Sequence, residues 1–431
     1  MLLKNCTTVI LSPVSVGSAD LRIRDGRIVE RGAHLTPRRG EDIYDLDSKI
    51  VMPGFVNSHT HLYSALSLGM PGPKEPPRNF LEILEKIWWK LDRALDEESL
   101  YYSALIGAID AARCGTTTLV DHHASPGIIK GSLDIIREAM EEVGLRGVLC
   151  YEVTDRGGSK ERDQGLAENR RFIRANRANE MFRGMVGAHA AFTLGNNSLK
   201  LLGEMAEQEK AGVHIHVAED RIDGIDAEEN YRCGVVDRLI DHNVLNKRSI
   251  LAHCVHLSGK EIEKVKQTGS WIVHNPRSNM NNRVGYAPVH LFGERTGLGT
   301  DGFPADMFEE SKFGTFRMRE AGVQGQVASM TDLLQGGQQI ISEIFGRKFG
   351  TLEKGSAADL TILDYKPSTP MTASNVTSHF LSSMSAANVD SVMVKGKWVV
   401  KNRVVVGLDV RAAYEGAAKA AKKLWERMKK V

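Results

Sequence analysis

The sequence predicts an α/β fold, a (β/α)8 TIM-like barrel with a small β-sandwich domain built from both chain ends. Three observations carry that reading. The central part alternates apolar strand candidates with helical segments. Side chains able to hold a metal or move protons stand at the C-terminal ends of several of those strands, where such barrels place their sites. Both ends of the chain carry short β-like runs of one style.

Residues 1–50 hold strand-like runs at Thr8–Leu11, Leu21–Arg24 and Arg27–Val29, with Asp25-Gly26 as a hairpin turn between the last two. Ala358–Asp364, Val389–Val394 and Trp398–Val400 resume the pattern, with Lys395-Gly396-Lys397 as a second turn. Joining them gives a small β domain over 1–50 and 355–405, a barrel over 51–354 and a C-terminal helix over 406–431. Within the barrel the strand candidates are 50–57, 116–121, 146–153, 184–189, 212–218, 249–255, 271–275 and 296–300. Leu100–Arg113, Gly131–Val143, Ser198–Lys210 and Gly259–Thr268 are helical segments between them. The charged stretch Asp155–Arg174 reads as a solvated loop and helix face, with a lid over the site as the alternative. The last helix, Val410–Lys430, has Tyr414, Leu424, Trp425 and Met428 for docking on the body, and its basic end complements the helix dipole.

At 431 residues the chain accommodates one barrel of roughly 250–300 residues plus an accessory domain. A net charge of +2 gives no field that would favour nucleic acid or an anionic membrane. No apolar run is long enough to span a bilayer, and Met1–Cys6 lacks a signal-peptide core. The five cysteines are an odd number without framework spacing, which suits free thiols in a reducing cytoplasm. Cys254 beside His253 is a weak nucleophile candidate, because neighbours along a strand point to opposite faces.

The chemistry begins at Pro53-Gly54-Phe55-Val56-Asn57-Ser58-His59-Thr60-His61-Leu62. Alternation along a strand puts His59 and His61 on one face and Thr60 on the other. Alone, His-x-His is a weak metal signal. Three later strand ends strengthen it: Gly212-Val213-His214-Ile215-His216-Val217-Ala218-Glu219, Ser249-Ile250-Leu251-Ala252-His253 and Gly297-Leu298-Gly299-Thr300-Asp301-Gly302. Together they predict a mononuclear metal site.

The motifs Pro-Gly-x-x-Asn-x-His-x-His, His-x-Ala-Glu, His-Cys-x-His, His-Asn-Pro-x-Ser-Asn and Gly-Thr-Asp-Gly, in this order, resemble the amidohydrolase superfamily. Within it the chain is similar to the chlorohydrolase and cytosine/guanine/adenosylhomocysteine deaminase branch. The likeness runs from about residue 45 to residue 405 and includes Gly350–Leu360 after the barrel. It implies His59, His61, His216 and Asp301 as metal ligands, Glu219 as the proton shuttle and His253 as the residue orienting the attacking water, with Asp301 assisting. His189 matches a histidine that faces substrate, while His214, deeper in its strand, reads as a packing residue. Binuclear members bridge two metals through a lysine on the fourth strand; Gly184–Ala190 has none, so one divalent ion is expected, zinc or alternatively iron.

For substrate, Trp88 and Trp89 are candidates to stack on a flat heterocycle, or else pack on the barrel rim. His122, with His123, is a candidate pocket residue or an ordinary loop residue. Arg277 is a candidate anchor for a carboxylate or carbonyl, or else a solvent-facing arginine. Three departures from the branch pattern bear on specificity: Phe192 in place of a tyrosine, Asn282-Arg283-Val284-Gly285 after the seventh strand, and Phe303-Pro304-Ala305 after Asp301. The resemblance implies a metal-dependent hydrolytic deaminase that releases ammonia from a purine, pyrimidine, triazine or aminoimidazole, with a metal-activated hydroxide as nucleophile. Opening of a ring amide or displacement of halide by the same groups is the competing chemistry. A non-catalytic scaffold is the competing class, and it would be expected to have lost ligands. The resemblance also implies a homodimer acting on a small heterocycle, with no nucleic-acid or membrane partner.

Overall fold

The computed structural model describes residues 1–323 and 329–431. The first strands are β1 (Leu2–Leu11), β2 (Val14–Arg24), β3 (Arg27–Gly32), β4 (Ile43–Asp45) and β5 (Ile50–Pro53). Barrel strands follow as β6 (Phe55–Thr60), β7 (Thr116–His123), β8 (Arg146–Tyr151), β9 (Phe182–Gly184), β10 (Val186–Ala190), β11 (Val213–Val217), β12 (Ile250–His253), β13 (Trp271–His274) and β14 (Thr296–Leu298). The chain returns with β15 (Leu360–Leu363), β16 (Val389–Val394), β17 (Lys397–Lys401) and β18 (Val404–Val405).

Strands from both chain ends share one hydrogen-bonded sheet, in the order β18-β17-β16-β15-β5-β1-β2-β3 with β4 beside β1. Leu3, Leu21, Ile28, Val51, Leu360 and Met393 from six of these strands meet in a single core, so the sheet curls over on itself. The two layers of the expected sandwich are therefore parts of one continuous sheet.

The apolar run 50–57 is not one barrel strand but two strands in different sheets. Ile50–Pro53 pairs with β1 and β15, whereas Phe55–Thr60 pairs with β7. Gly54 makes the step: a Cβ there would lie 2.1 Å from the Thr117 methyl, so only glycine lets the backbones approach.

In the barrel, β6 to β9 form one parallel sheet and β10 to β14 another. The bridges Val153–Ala188 and Thr60–Asp301 join their edges and close the ring. Every residue of β6, β7, β8 and β11 is buried, as expected for parallel strands covered on both faces. Asp155–Arg174 is largely a helix, Gly158–Ala175, with Phe172 and Ile173 buried against the barrel. The helix Val410–Met428 docks on the body, where Trp425 Nε1 donates to the Leu66 carbonyl at 2.9 Å and Arg427 Nε to that of Ala94 at 2.7 Å. A buried ion pair at 2.9 Å between Arg146 Nε and Asp359 Oδ2 ties barrel to sheet.

Candidate active site

His59 near the end of β6, His61 just beyond it, His216 on β11 and Asp301 after β14 converge at the C-terminal mouth of the barrel. Asp301 Oδ1 lies 3.3 Å from His59 Nε2 and 2.8 Å from His61 Nε2, and His61 Nε2 lies 3.2 Å from His216 Nε2. The far side of each ring decides what those nitrogens are. His61 Nδ1 donates to the His122 carbonyl at 2.5 Å, and His216 Nδ1 to the His189 carbonyl at 2.9 Å. Carbonyls only accept, so in the neutral rings both Nε2 atoms carry lone pairs that face each other. His59 Nδ1 meets His214 Nε2 at 2.9 Å, and His59 Nε2 is buried without a hydrogen-bond partner. His214 is thus a support for a ligand ring rather than packing alone. Burial pushes His59 down to about 3 and His216 well below the usual histidine range, which keeps both rings neutral for ligation. Three imidazole nitrogens and a carboxylate gathered at one point fit a divalent cation.

Replacing His216 with alanine is expected to cut bound metal from one ion per chain to near zero, read by plasma emission spectroscopy. Chelation of the wild type should lower its melting temperature, since a ligand held at 1,000 times its Kd contributes about 4 kcal/mol.

Beside the cluster sits a second group of side chains. Glu219, three residues past His216, is buried, with Oε2 at 3.5 Å from His253 Nε2 and Oε1 accepting from Asn282 Nδ2 at 3.3 Å. Burial pushes its carboxyl up to about 7, with Asp301 adding to the shift and His253 opposing it. His253 Nδ1 contacts Asn279 Oδ1 at 2.8 Å, and Ser278 Oγ donates to Asp301 Oδ2. Ala218, His253 and Asp301 take positive φ values of 47°, 73° and 55°. Non-glycine residues held there store strain of the kind found at functional sites.

A model of the amidohydrolase family matches residues 50–399. The chain belongs to the amidohydrolase family. It is 30% identical over 439 residues to a 5'-deoxyadenosine deaminase of Methanosarcina mazei, covering 99% of each chain. A zinc-bound adenosine deaminase structure from Xanthomonas campestris superposes with a TM-score of 0.85 at 20% identity, covering 100% of this chain and 98% of that one. The zinc complex of atrazine chlorohydrolase TrzN from Arthrobacter aurescens TC1 gives 0.83 at 20% identity, covering 97% and 99%. At that identity the two structures speak for the shared fold.

In this amidohydrolase the pocket over the cluster is walled by aromatic side chains and closed by polar ones, and it admits Glu219, His189 and Trp88. His189 Nδ1 contacts Thr193 Oγ1 at 2.9 Å, and burial pushes the ring down to about 3. Trp88 ends a π turn, Leu84–Trp88, whose extra residue per turn re-aims the side chains around it. Trp89 also lines the pocket, with the Arg156 guanidinium 4.7 Å above its ring.

Two expected substrate contacts are corrected by the structure. His122 is fully buried behind His61, its Nε2 donating to the His214 carbonyl at 3.1 Å, because the whole of β7 points it into the barrel interior. Arg277 is neither a pocket anchor nor solvent-facing. It is 7% exposed and ion-paired to Glu310 and, at 2.8 Å, to Glu309 Oε2. Its Nη2 donates to the Pro304 carbonyl at 2.6 Å, so it braces the loop after Asp301. Cys254 is buried with its thiol raised by burial and is no nucleophile.

The residue missed by sequence reasoning is Glu152, the first after β8. It lies 3.3 Å from His61 Nδ1, 3.3 Å from His122 Nδ1 and 3.9 Å from His189 Nε2. A strand read through residue 153 hid it; ending the strand at Tyr151 would have marked a carboxylate at a barrel strand end. The further ligand groupings around Glu152 reuse His61 or His216, so they build no independent second metal site among the described residues.

Proposed function

We propose that this amidohydrolase is a metal-dependent hydrolytic deaminase that releases ammonia from an amino-substituted nitrogen heterocycle. The observation that carries the reading is Glu219, a buried carboxyl beside the ligand cluster, 3.5 Å from His253 Nε2 and open to the pocket. A carboxyl that burial pushes up to about 7 both takes and gives a proton at neutral pH.

His59, His61, His216 and Asp301 would hold a divalent cation, which when bound would supply hydroxide from water at neutral pH. Glu219 receives the proton released from that water and delivers it to the ring nitrogen beside the reacting carbon. His253, held through Asn279, and Asp301 direct the oxygen onto that carbon. Glu219 then takes the second proton from the added oxygen and passes it to the amino group, the carbon–amino bond breaks, ammonia leaves and a ring carbonyl remains. Trp88 and Trp89 flank the flat ring. Zinc suits three imidazoles and one carboxylate, and the zinc-bound neighbours support it over iron. The deoxyadenosine-deaminating relative favours the aminopurine end of the substrate range. Five free cysteines support a reducing cytoplasm, and among the described residues no helix is long and apolar enough to cross a membrane. A homodimer completes the proposal, to be read by light scattering.

The test is ammonia release from metal-loaded protein offered aminopurines, aminopyrimidines, aminotriazines and aminoimidazoles. Release from one ring class supports the reading and names the substrate family. Turnover of a ring amide or a halogenated ring without ammonia replaces it. Asn279→Leu is expected to lower kcat by about 10–100-fold with metal retained, because His253 loses the partner that sets its orientation; steady-state kinetics with metal analysis checks it.

A further inference from the structure

Glu152 has no part in the steps above, yet it is a pocket residue only 3% exposed. Its Oε1 is buried without a hydrogen-bond partner. The two nearest rings spend an N–H elsewhere, His61 on the His122 carbonyl and His122 on the His214 carbonyl, and His122 Nδ1, 3.3 Å from Oε1, is not aligned to donate to it and is itself without a hydrogen-bond partner. Its Oε2 looks across the pocket at His189 Nε2, 3.9 Å away and beyond hydrogen-bond reach. A buried carboxylate so short of protein donors is costly unless something else supplies one. Glu152 and His189 group with His216 on one flank of the metal cluster, while Glu219 and His253 group with Asp301 on the other. Being 3.3 Å from a ligand ring, Glu152 sits at the depth of the reacting ring rather than at the pocket mouth.

We infer that Glu152 is a specificity-determining residue that accepts a hydrogen bond from an N–H donor on the substrate edge turned away from Glu219. It selects heterocycles carrying a second donor nitrogen over those with the reacting amino group alone. The inference rests on the deaminase reading for its substrate class.

The experiment compares matched pairs on metal-loaded enzyme: 2,6-diaminopurine against adenine, and 2,4-diaminopyrimidine against 4-aminopyrimidine. Ammonia release and calorimetric binding are measured side by side. A hydrogen bond to a charged acceptor predicts a wild-type preference of about 10–100-fold for the diamino member, expressed in KM. Glu152→Leu should bring that ratio to within about twofold, and Glu152→Gln, which keeps a carbonyl acceptor, should retain part of it. Metal content should stay at one ion per chain. Absence of the preference in the wild type overturns the inference, whether or not the variants fold. So does loss of metal with an equal fall in kcat on both members, which would make Glu152 only a support for His61 and His122. A preference for adenosine over both free purines would move the donor from ring nitrogen to sugar hydroxyl and likewise overturn it. No ammonia from any compound sinks the deaminase reading, while the calorimetric ratio still decides Glu152; failure of both members of each pair to bind overturns both.

Discussion

Glu219→Gln is expected to lower kcat by about 10²–10⁴-fold while metal content stays at one ion per chain. Glutamine preserves the size of the side chain and its contact with Asn282 Nδ2. It cannot accept a proton from water or return one to a leaving nitrogen. The His59, His61, His216 and Asp301 contacts are untouched by the change, so metal binding and catalysis should separate cleanly. Kinetics on whichever heterocycle releases ammonia, paired with metal analysis, checks it. A variant as active as wild type would remove Glu219 from the mechanism.

Arg277→Met is expected to destabilise the fold by about 3–5 kcal/mol, because it leaves Glu310 buried without its cation. Burial already pushes the Glu310 carboxyl up to about 7, with Arg277 pulling the other way. Removing the arginine removes the opposing pull. A carboxyl whose pKa is raised by folding binds more protons in the native state, so its cost is absent below the unfolded value near 4.3 and grows as pH rises toward the folded value. The deficit in the variant should therefore shrink as pH falls from 8 toward 5. Urea unfolding at those two pH values measures it. An unchanged midpoint would mean that the pair contributes nothing net, and would reopen Arg277 as a free side chain.

The two changes mark different depths of legibility. His59, His61, His216, Glu219, His253 and Asp301 were readable as candidates because each stands at or just beyond the end of an apolar strand. Period-two alternation says which neighbours share a face, and the barrel says which end of every strand meets the others. The eight-unit alternation of strand and helix, with β9 and β10 as the two parts of the fourth strand, is a repeated local signal, so it survives errors of a few residues at each boundary.

Other features depend on distances that no local pattern contains. Arg277 and its partners Glu309 and Glu310 are separated by 32 and 33 residues, and whether they meet is settled by how two helices, Pro276–Asn281 and Met307–Glu320, pack together. The break at Gly54 follows from the Thr117 side chain 2.1 Å from where a Cβ would be, a contact invisible in an unbroken apolar run. His122 belonged to a strand end like the ligands, yet the pleat and the closure of the ring turned it behind His61.

By itself, then, the sequence determined the barrel, the joining of both ends in one sheet and the residues that converge at its mouth, because periodicity and strand-end chemistry are local. Only the tertiary structure decided that Glu152 enters the pocket, that Arg277 lies outside it and that His214 meets the ring of His59. Those outcomes rest on hydrogen-bond and ion-pair partners brought together by burial, and partner choice is a property of packing rather than of sequence order.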